Sequence, residues 1–170
     1  YGLAGWPDRA PSGPFGAYTD YTSTHFMAAI VLAALDHQRR TGEGQLIDLA
    51  QAEAALHFIA PALLAYEATG EVANRSGNRD SGAAPHGVFA CAGEDEWVAI
   101  AVEDSTWPGF CSAIGRPDLG ERDDLRDHAG RVSAVDELER VASDWTAGKS
   151  ASEAEAILVA AGVAAHRVQS

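Results

Sequence analysis

The residues best suited to chemistry lie close together near the start of the sequence, in Gly16-Ala17-Tyr18-Thr19-Asp20-Tyr21-Thr22-Ser23-Thr24. Asp20 follows a glycine-rich loop and stands where a long apolar helix opens. Two readings fit this position. As a helix N-cap, Asp20 satisfies a backbone N–H that the first turn leaves without a partner, a role for which aspartate is favoured. As a nucleophile, it draws on the positive end of the helix dipole, which favours the carboxylate over the acid. An ionised carboxylate attacks an activated carbonyl and forms a covalent intermediate. Its neighbours up to Thr24 bear hydroxyls able to hydrogen-bond a carbonyl or a thioester. Spacing alone does not separate the two roles.

Other motifs carry less. Gly148-Lys149-Ser150 has the ending of a phosphate-binding loop, but position 143 is serine where that loop needs glycine, so a helix cap is expected. Gly42-Glu43-Gly44 lacks the third glycine of a dinucleotide fingerprint. His86, Cys91, Cys111 and His128 lack metal-ligand spacing, so no metal is expected. No Gly-x-Ser-x-Gly elbow occurs.

The elements that must position Asp20 follow from periodicity. Residues 1–19 are rich in glycine and proline and read as loop. Phe26, Ile30, Ala33 and Ala34 fall on one helical face within residues 22–40, with Met27, Val31 and Leu35 beside them. A helix apolar nearly all round is expected to be buried on most sides. Gly42 stops it, a short strand is expected over residues 45–49, and a second helix over residues 50–69 is interrupted by Pro61 and closed by Gly70. Residues 71–84 are polar and aperiodic. Beyond Pro85 the pattern predicts strands at residues 88–91 and 97–102 around an acidic turn, then helices over residues 105–114 and 132–147. A last helix opens with the capping box Ser150-x-x-Glu153, stops at Gly162, and leads to a closing strand at residues 163–168. The fold class is α/β. Residues 1–70 form part of a large domain, 71–84 a linker or glycine-containing loop, and 85–170 a small α+β domain.

Composition narrows the function. The 170 residues hold four tryptophans to anchor a core and carry a formal net charge of -13, from 12 basic and 25 acidic side chains. Such a surface repels phosphodiester backbones and anionic lipid, so neither nucleic acid nor membrane is expected as partner. The longest apolar stretch, residues 26–35, is far short of the ~20 residues a membrane span needs. Two isolated cysteines fit small buried hydrophobes in a reducing cytoplasm, and Asn74-Arg75-Ser76 reads as a chance glycosylation match. The abrupt start at Tyr1, without methionine or targeting signal, reads as a partial chain.

A longer pattern bears on Asp20. Asp20-Tyr21-x-Ser23, the apolar helix, Arg39-Arg40-Thr41-Gly42-Glu43-Gly44-Gln45 and Ile47-Asp48-Leu49 occur in that order. Gly77-Asn78, Ala84-Pro85-His86-Gly87-Val88-Phe89, Glu96-Trp97-Val98-Ala99-Ile100, Trp107, residues 114–119, Arg131 and Gly162-Val163 follow. Together they resemble the family III CoA-transferases, also described as the formyl-CoA transferase, carnitine CoA-transferase and CaiB/BaiF type. The Thr-Gly-x-Gly-Gln turn before a short strand is the most specific element.

The resemblance implies a Rossmann-like large domain followed by a small domain, and an interlocked homodimer for the parent protein. It implies an acyl-CoA and a carboxylic acid as partners, coenzyme A as substrate, and no tightly bound cofactor. Asp20 would attack the donor acyl-CoA to give a mixed anhydride, and the released thiolate would convert it to an aspartyl-CoA thioester. The acceptor carboxylate reacts with that thioester, and CoA returns to form the new acyl-CoA. A glycine-rich loop that covers the aspartate in the family corresponds to residues 81–85, which makes Gly82, Ala83 and Ala84 substrate-binding candidates. Two positions often glycine there are alanine here, which limits positive φ. Most CoA contacts would lie outside this chain, so the chain alone is expected to be inactive. Two alternatives stand beside transfer. One is an acyl-CoA racemase or epimerase on the same scaffold, whose partner histidine is neither His25 nor His86. The other is a non-catalytic fragment that needs a second chain.

Overall fold

A computed structural model describes residues 2–13 and 16–169. The chain is mixed α/β and rich in helix, and it divides into two compact units, Tyr1–Arg75 and Ser76–Ser170.

The first unit is helical. Its principal element, α1 (Tyr18–Thr41), ends where Gly42 turns left-handed at φ 80° and donates its N–H to the Gln38 carbonyl. The helix starts four residues before the expected Thr22, with Ala17 as N-cap and no side chain capping it. Asp20 is thus a first-turn residue rather than the cap. The second apolar stretch forms α2 (Gln51–Leu56), a 3-10 turn (His57–Ile59) and α3 (Ala60–Thr69). Pro61 sits in the first turn of α3, where its missing N–H costs nothing, and Gly70 closes that helix at φ 73°. Phe26 of α1 stacks on His57 at 5.4 Å and meets Phe58 edge-on at 6.0 Å, which seals α1 to the segment between α2 and α3.

Two expectations fail here. The strand at residues 45–49 does not form: residues 42–50 are irregular, and Leu46 is 97% exposed. A strand needs a neighbour for its amides and carbonyls, and no strand is present among the described residues of this unit. Nor is α1 buried on most sides. Only Ser23 is buried along it, while Leu32 and Leu35 are exposed, because the other helices cover one side alone.

The second unit closes a core of its own. Strands β1 (His86–Ala90), β2 (Trp97–Ala101) and β3 (Ala164–Arg167) form an antiparallel sheet in the order β1-β2-β3, with Phe89 opposite Val98 and Ile100 opposite Ala165. The side-chain alternation of a strand sends Phe89, Val98 and Ile100 to one face. There they join Phe110 of α4 (Trp107–Ala113), Leu138 and Ala142 of α7 (Val135–Thr146), and Leu158 of α8 (Ala151–Ala160) in one hydrophobic cluster. Short helices α5 (Pro117–Gly120) and α6 (His128–Ser133) contribute Leu119 and Arg131 to the buried set.

Several boundaries differ from expectation. A 3-10 turn at Asp104–Thr106 precedes α4, and the helix expected over residues 132–147 breaks at Ala134 into α6 and α7. The Ser150 hydroxyl accepts the Glu153 N–H at 3.2 Å, but Glu153 does not return the bond, so half of the capping box forms. Of the four tryptophans only Trp107 is buried, with Trp6 and Trp97 exposed and Trp145 half-buried. Cys91 and Cys111 are buried thiols, and burial pushes Cys111 up to about 11.

Candidate functional site

The first turn of α1 fixes the Asp20 backbone. The N–H groups of Asp20 and Tyr21 both donate to the Ala17 carbonyl, at 3.0 and 3.2 Å. The Asp20 side chain is exposed, and no group among the described residues hydrogen-bonds its carboxylate. Without a partner among the described residues, both oxygens are open to an electrophile. The hydroxyl neighbours behave differently from expectation. Thr22 donates to the Tyr18 carbonyl at 3.1 Å and Thr24 to the Tyr21 carbonyl at 2.9 Å. Their protons are consumed within the helix, a habit of Ser and Thr in helical turns, and Ser23 is buried. The ring of His25 also bonds the Tyr21 carbonyl, at 3.0 Å.

Gly82, Ala83 and Ala84 belong to the second unit, whereas Asp20 belongs to the first. Ala84 is tied into the end of the sheet: its N–H donates to the Val102 carbonyl at 2.9 Å, and the Val102 N–H donates to the Pro85 carbonyl at 3.0 Å. Ala83 and Ala84 are buried, and neither adopts positive φ. The two methyl groups in place of glycine hydrogens therefore cause no backbone strain. Gly82 is exposed, with its N–H accepted by the Asp80 carboxylate at 2.7 Å. Upstream, the guanidinium of Arg79 donates to Glu139 at 2.9 and 2.7 Å and also to Asp136, and these carboxylates hold Arg79 well above the usual arginine range. His86 bonds the Asn78 carbonyl.

The second unit carries clefts of different chemistry. One, of about 440 Å³, is lined by Gly82, Glu103, Asp104, Ser105 and His128. A larger one, of about 700 Å³, runs along Val88, Ala99 and Ala165 with His86 and His166 in its lining. The larger cleft has no carboxylate in its lining, so size and chemistry point to different places, and chemistry decides. Sequence reasoning passed over Asp104, and His128 was considered only as a metal ligand. A signal for the latter existed, since Asp127-x-x-Gly130 is an N-cap pattern, and the Asp127 carboxylate does accept the Gly130 N–H at 2.8 Å. Among the described residues, no group of three or more His, Cys, Asp or Glu side chains is placed to hold a metal ion, and no helix is long and apolar enough to cross a membrane.

The helix-rich α/β arrangement with its small antiparallel sheet has counterparts among solved structures. The sequence matches CoA-transferase family III along residues 1–170, and the chain belongs to that family. It is 27% identical to a succinyl-CoA–D-citramalate CoA-transferase of Chloroflexus aurantiacus, over 98% of this chain and 41% of that protein. It is 31% identical to a succinyl-CoA:mesaconate CoA-transferase of Haloarcula hispanica, over 85% of this chain and 36% of the relative. A crystal structure of a CaiB/BaiF family protein from Brucella suis superposes with a TM-score of 0.80 at 25% identity, over 99% of this chain and 44% of that one. The chain thus spans less than half the length of these relatives.

Proposed function

We propose that the protein carrying this chain transfers coenzyme A from an acyl-CoA donor to a carboxylic acid, with Asp20 as the covalent nucleophile. A carboxylate oxygen of Asp20 bonds to the donor's carbonyl carbon as the C–S bond breaks, giving a mixed anhydride and CoA thiolate. The thiolate attacks the aspartyl carbonyl and expels the donor acid as its carboxylate, leaving an aspartyl-CoA thioester. The acceptor carboxylate then displaces the thiolate, and the thiolate returns to the acceptor's carbonyl to release the new acyl-CoA and Asp20. Each step exchanges one acyl bond for another, so the donor's thioester energy is conserved. The observation that carries this reading is the exposed Asp20 carboxylate, to which no hydrogen bond from the described residues is committed. The succinyl-CoA chemistry in the relatives' names suggests a dicarboxylic donor or acceptor.

The same reading makes residues 1–70 part of a Rossmann-like large domain, residues 71–84 its connection and residues 85–170 the small domain of an interlocked homodimer. Exposed apolar side chains on α1 and α3, and a 42–50 segment with no partner strand among the described residues, fit such a part viewed by itself.

The test is Asp20→Ala in the intact enzyme. Removing a covalent nucleophile is expected to lower CoA transfer by at least about 10³-fold, and hydroxylamine added to the wild-type enzyme with donor should convert Asp20 to a hydroxamate visible by mass spectrometry. Transfer at near wild-type rate in the variant overturns the assignment. Solvent deuterium entering the donor's α-carbon without any CoA transfer would replace it with the racemase reaction.

A further inference from the structure

Among the described residues, the span between the two fixed ends of the Ser76–Pro85 segment has one tie to another element. Arg79 holds the upstream end to α7, and Ala84 holds the downstream end to the Val102 backbone. Between them, among the described residues, Ser81 is bonded to the rest of the unit only through its carbonyl, which lies 2.6 Å from Nε2 of His128. A carbonyl oxygen carries no proton, so Nε2 must be the protonated nitrogen and the donor. Nδ1 faces the Asp104 carboxylate at 3.8 Å. Asp104 in turn receives the guanidinium of Arg131, whose side chain is 1% exposed, donates to the Leu125 carbonyl at 2.9 Å and lies 5.2 Å over the Trp107 ring. The histidine is thus carried on the first turn of α6 and backed by a buried cation, while exposed Gly82 follows the carbonyl it holds.

We propose that His128 is a positioning residue for the Ser81-Gly82 peptide, fixing the glycine of the loop to which the family resemblance assigns the shielding of an aspartyl-CoA thioester. The proposal rests on the CoA-transferase reading given above. His128 has no contact with reacting atoms assigned to it, and its role runs through Ser81. Its consequence is a partition. If the loop loosens, water competes with the acceptor: its oxygen bonds to the aspartyl carbonyl carbon, the C–S bond breaks, one proton of the water passes to sulfur and the other to solvent. The products are the Asp20 carboxylate and free CoA thiol. Loss of the tie therefore raises hydrolysis relative to transfer, more than it lowers the rate of thioester formation.

His128→Leu keeps the bulk and removes the donor, whereas His128→Gln restores an amide N–H at comparable reach. In the intact enzyme, hydrogen exchange at Gly82 and Ala83 is expected to quicken about fivefold in the leucine variant, the effect of one lost hydrogen bond. The glutamine variant should stay within about twofold, and unchanged protection of β2 in both verifies folding. The ratio of donor hydrolysis to transfer should rise about fivefold with leucine and return with glutamine. Unchanged exchange in His128→Leu overturns the tie. Faster exchange with an unchanged ratio, in an enzyme that Asp20→Ala inactivates, overturns the positioning role and leaves the nucleophile standing. Transfer that survives Asp20→Ala overturns the functional reading and the partition with it, whatever the exchange shows.

Discussion

Helices α1 and α7 show what separates the two units. Along α7, Leu138, Ala142 and Thr146 are buried while Asp136 and Glu139 face outward to the Arg79 guanidinium. Its apolar stripe has one direction to go, and the sheet of the same unit receives it. The α1 helix is apolar on several faces, yet buries only Ser23. No single neighbour can cover such a helix. The second unit closes an apolar core between its sheet and helices, whereas the first leaves many large apolar side chains of α1 and α3 exposed. The nucleophile of the proposed reaction stands on the open unit, and the loop assigned to shield it stands on the closed one. Catalytic groups on a unit that needs partners can be buried or released with assembly, whereas a loop on a self-sufficient core keeps its anchors.

Truncation of large side chains should expose this contrast most strongly. Phe110 is fully buried in the second unit, and Phe110→Ala is expected to cost about 3–5 kcal/mol through lost burial and the cavity left behind. Leu64 on α3 is 69% exposed, so Leu64→Ala should change stability by no more than about 0.5 kcal/mol. Urea unfolding of this chain followed by far-ultraviolet circular dichroism measures both. A Leu64→Ala cost approaching that of Phe110→Ala would mean α3 is covered in solution, and the contrast would fail.

How far the sequence could be read follows the same divide. Elements whose pattern closes locally were legible: the Gly42 and Gly70 stops, the strands flanking the acidic turn, the Ser150 cap and the stripe of α7. Residues 45–49 carry a strand pattern that requires a distant partner, and no short-range signal reports whether that partner is present. Asp20 was legible as a candidate because dipole and loop are local features, but its exposure depends on what packs nearby. The tie from His128 to Ser81 joins residues 47 apart and leaves no periodic trace. Arg131 illustrates the limit further: charged residues are almost never fully buried unless paired, and nothing in its neighbourhood announces Asp104 and Trp107 as its partners.

Smaller effects should come from adding a single methyl. A Cβ at Gly130 would sit 1.9 Å from the Asp124 carbonyl oxygen, and one at Gly109 would sit 2.3 Å from that of Ala161. Either alanine substitution forces backbone apart and is expected to cost about 1–3 kcal/mol. Gly44 of the first unit would meet nothing within 4 Å, so Gly44→Ala should leave stability unchanged or slightly raised. Thermal melts of the three variants order them directly. A Gly130→Ala protein as stable as the parent would show that the approach of α6 to Asp124 is looser than described.

Acid should produce the smallest difference, and its sign follows from the ion pairs. Arg116 holds Asp118 below the usual carboxylate range, and Arg122 does the same to Asp124 and Glu137 through bonds of 2.5–3.2 Å. A carboxyl whose folded pKa lies below its unfolded value stabilises fully above the unfolded value and loses that contribution as pH falls through the folded one. The melting temperature of the second unit should therefore decline below about pH 4, where free carboxylates titrate. These groups are solvent-exposed, so added salt should flatten the decline. Arg122→Gln removes the partner of two carboxylates and should make the profile between about pH 4 and 2 shallower, because fewer depressed carboxyls remain to be protonated. An identical profile in the variant would show that the Arg122 cluster contributes nothing to the stability of the second unit.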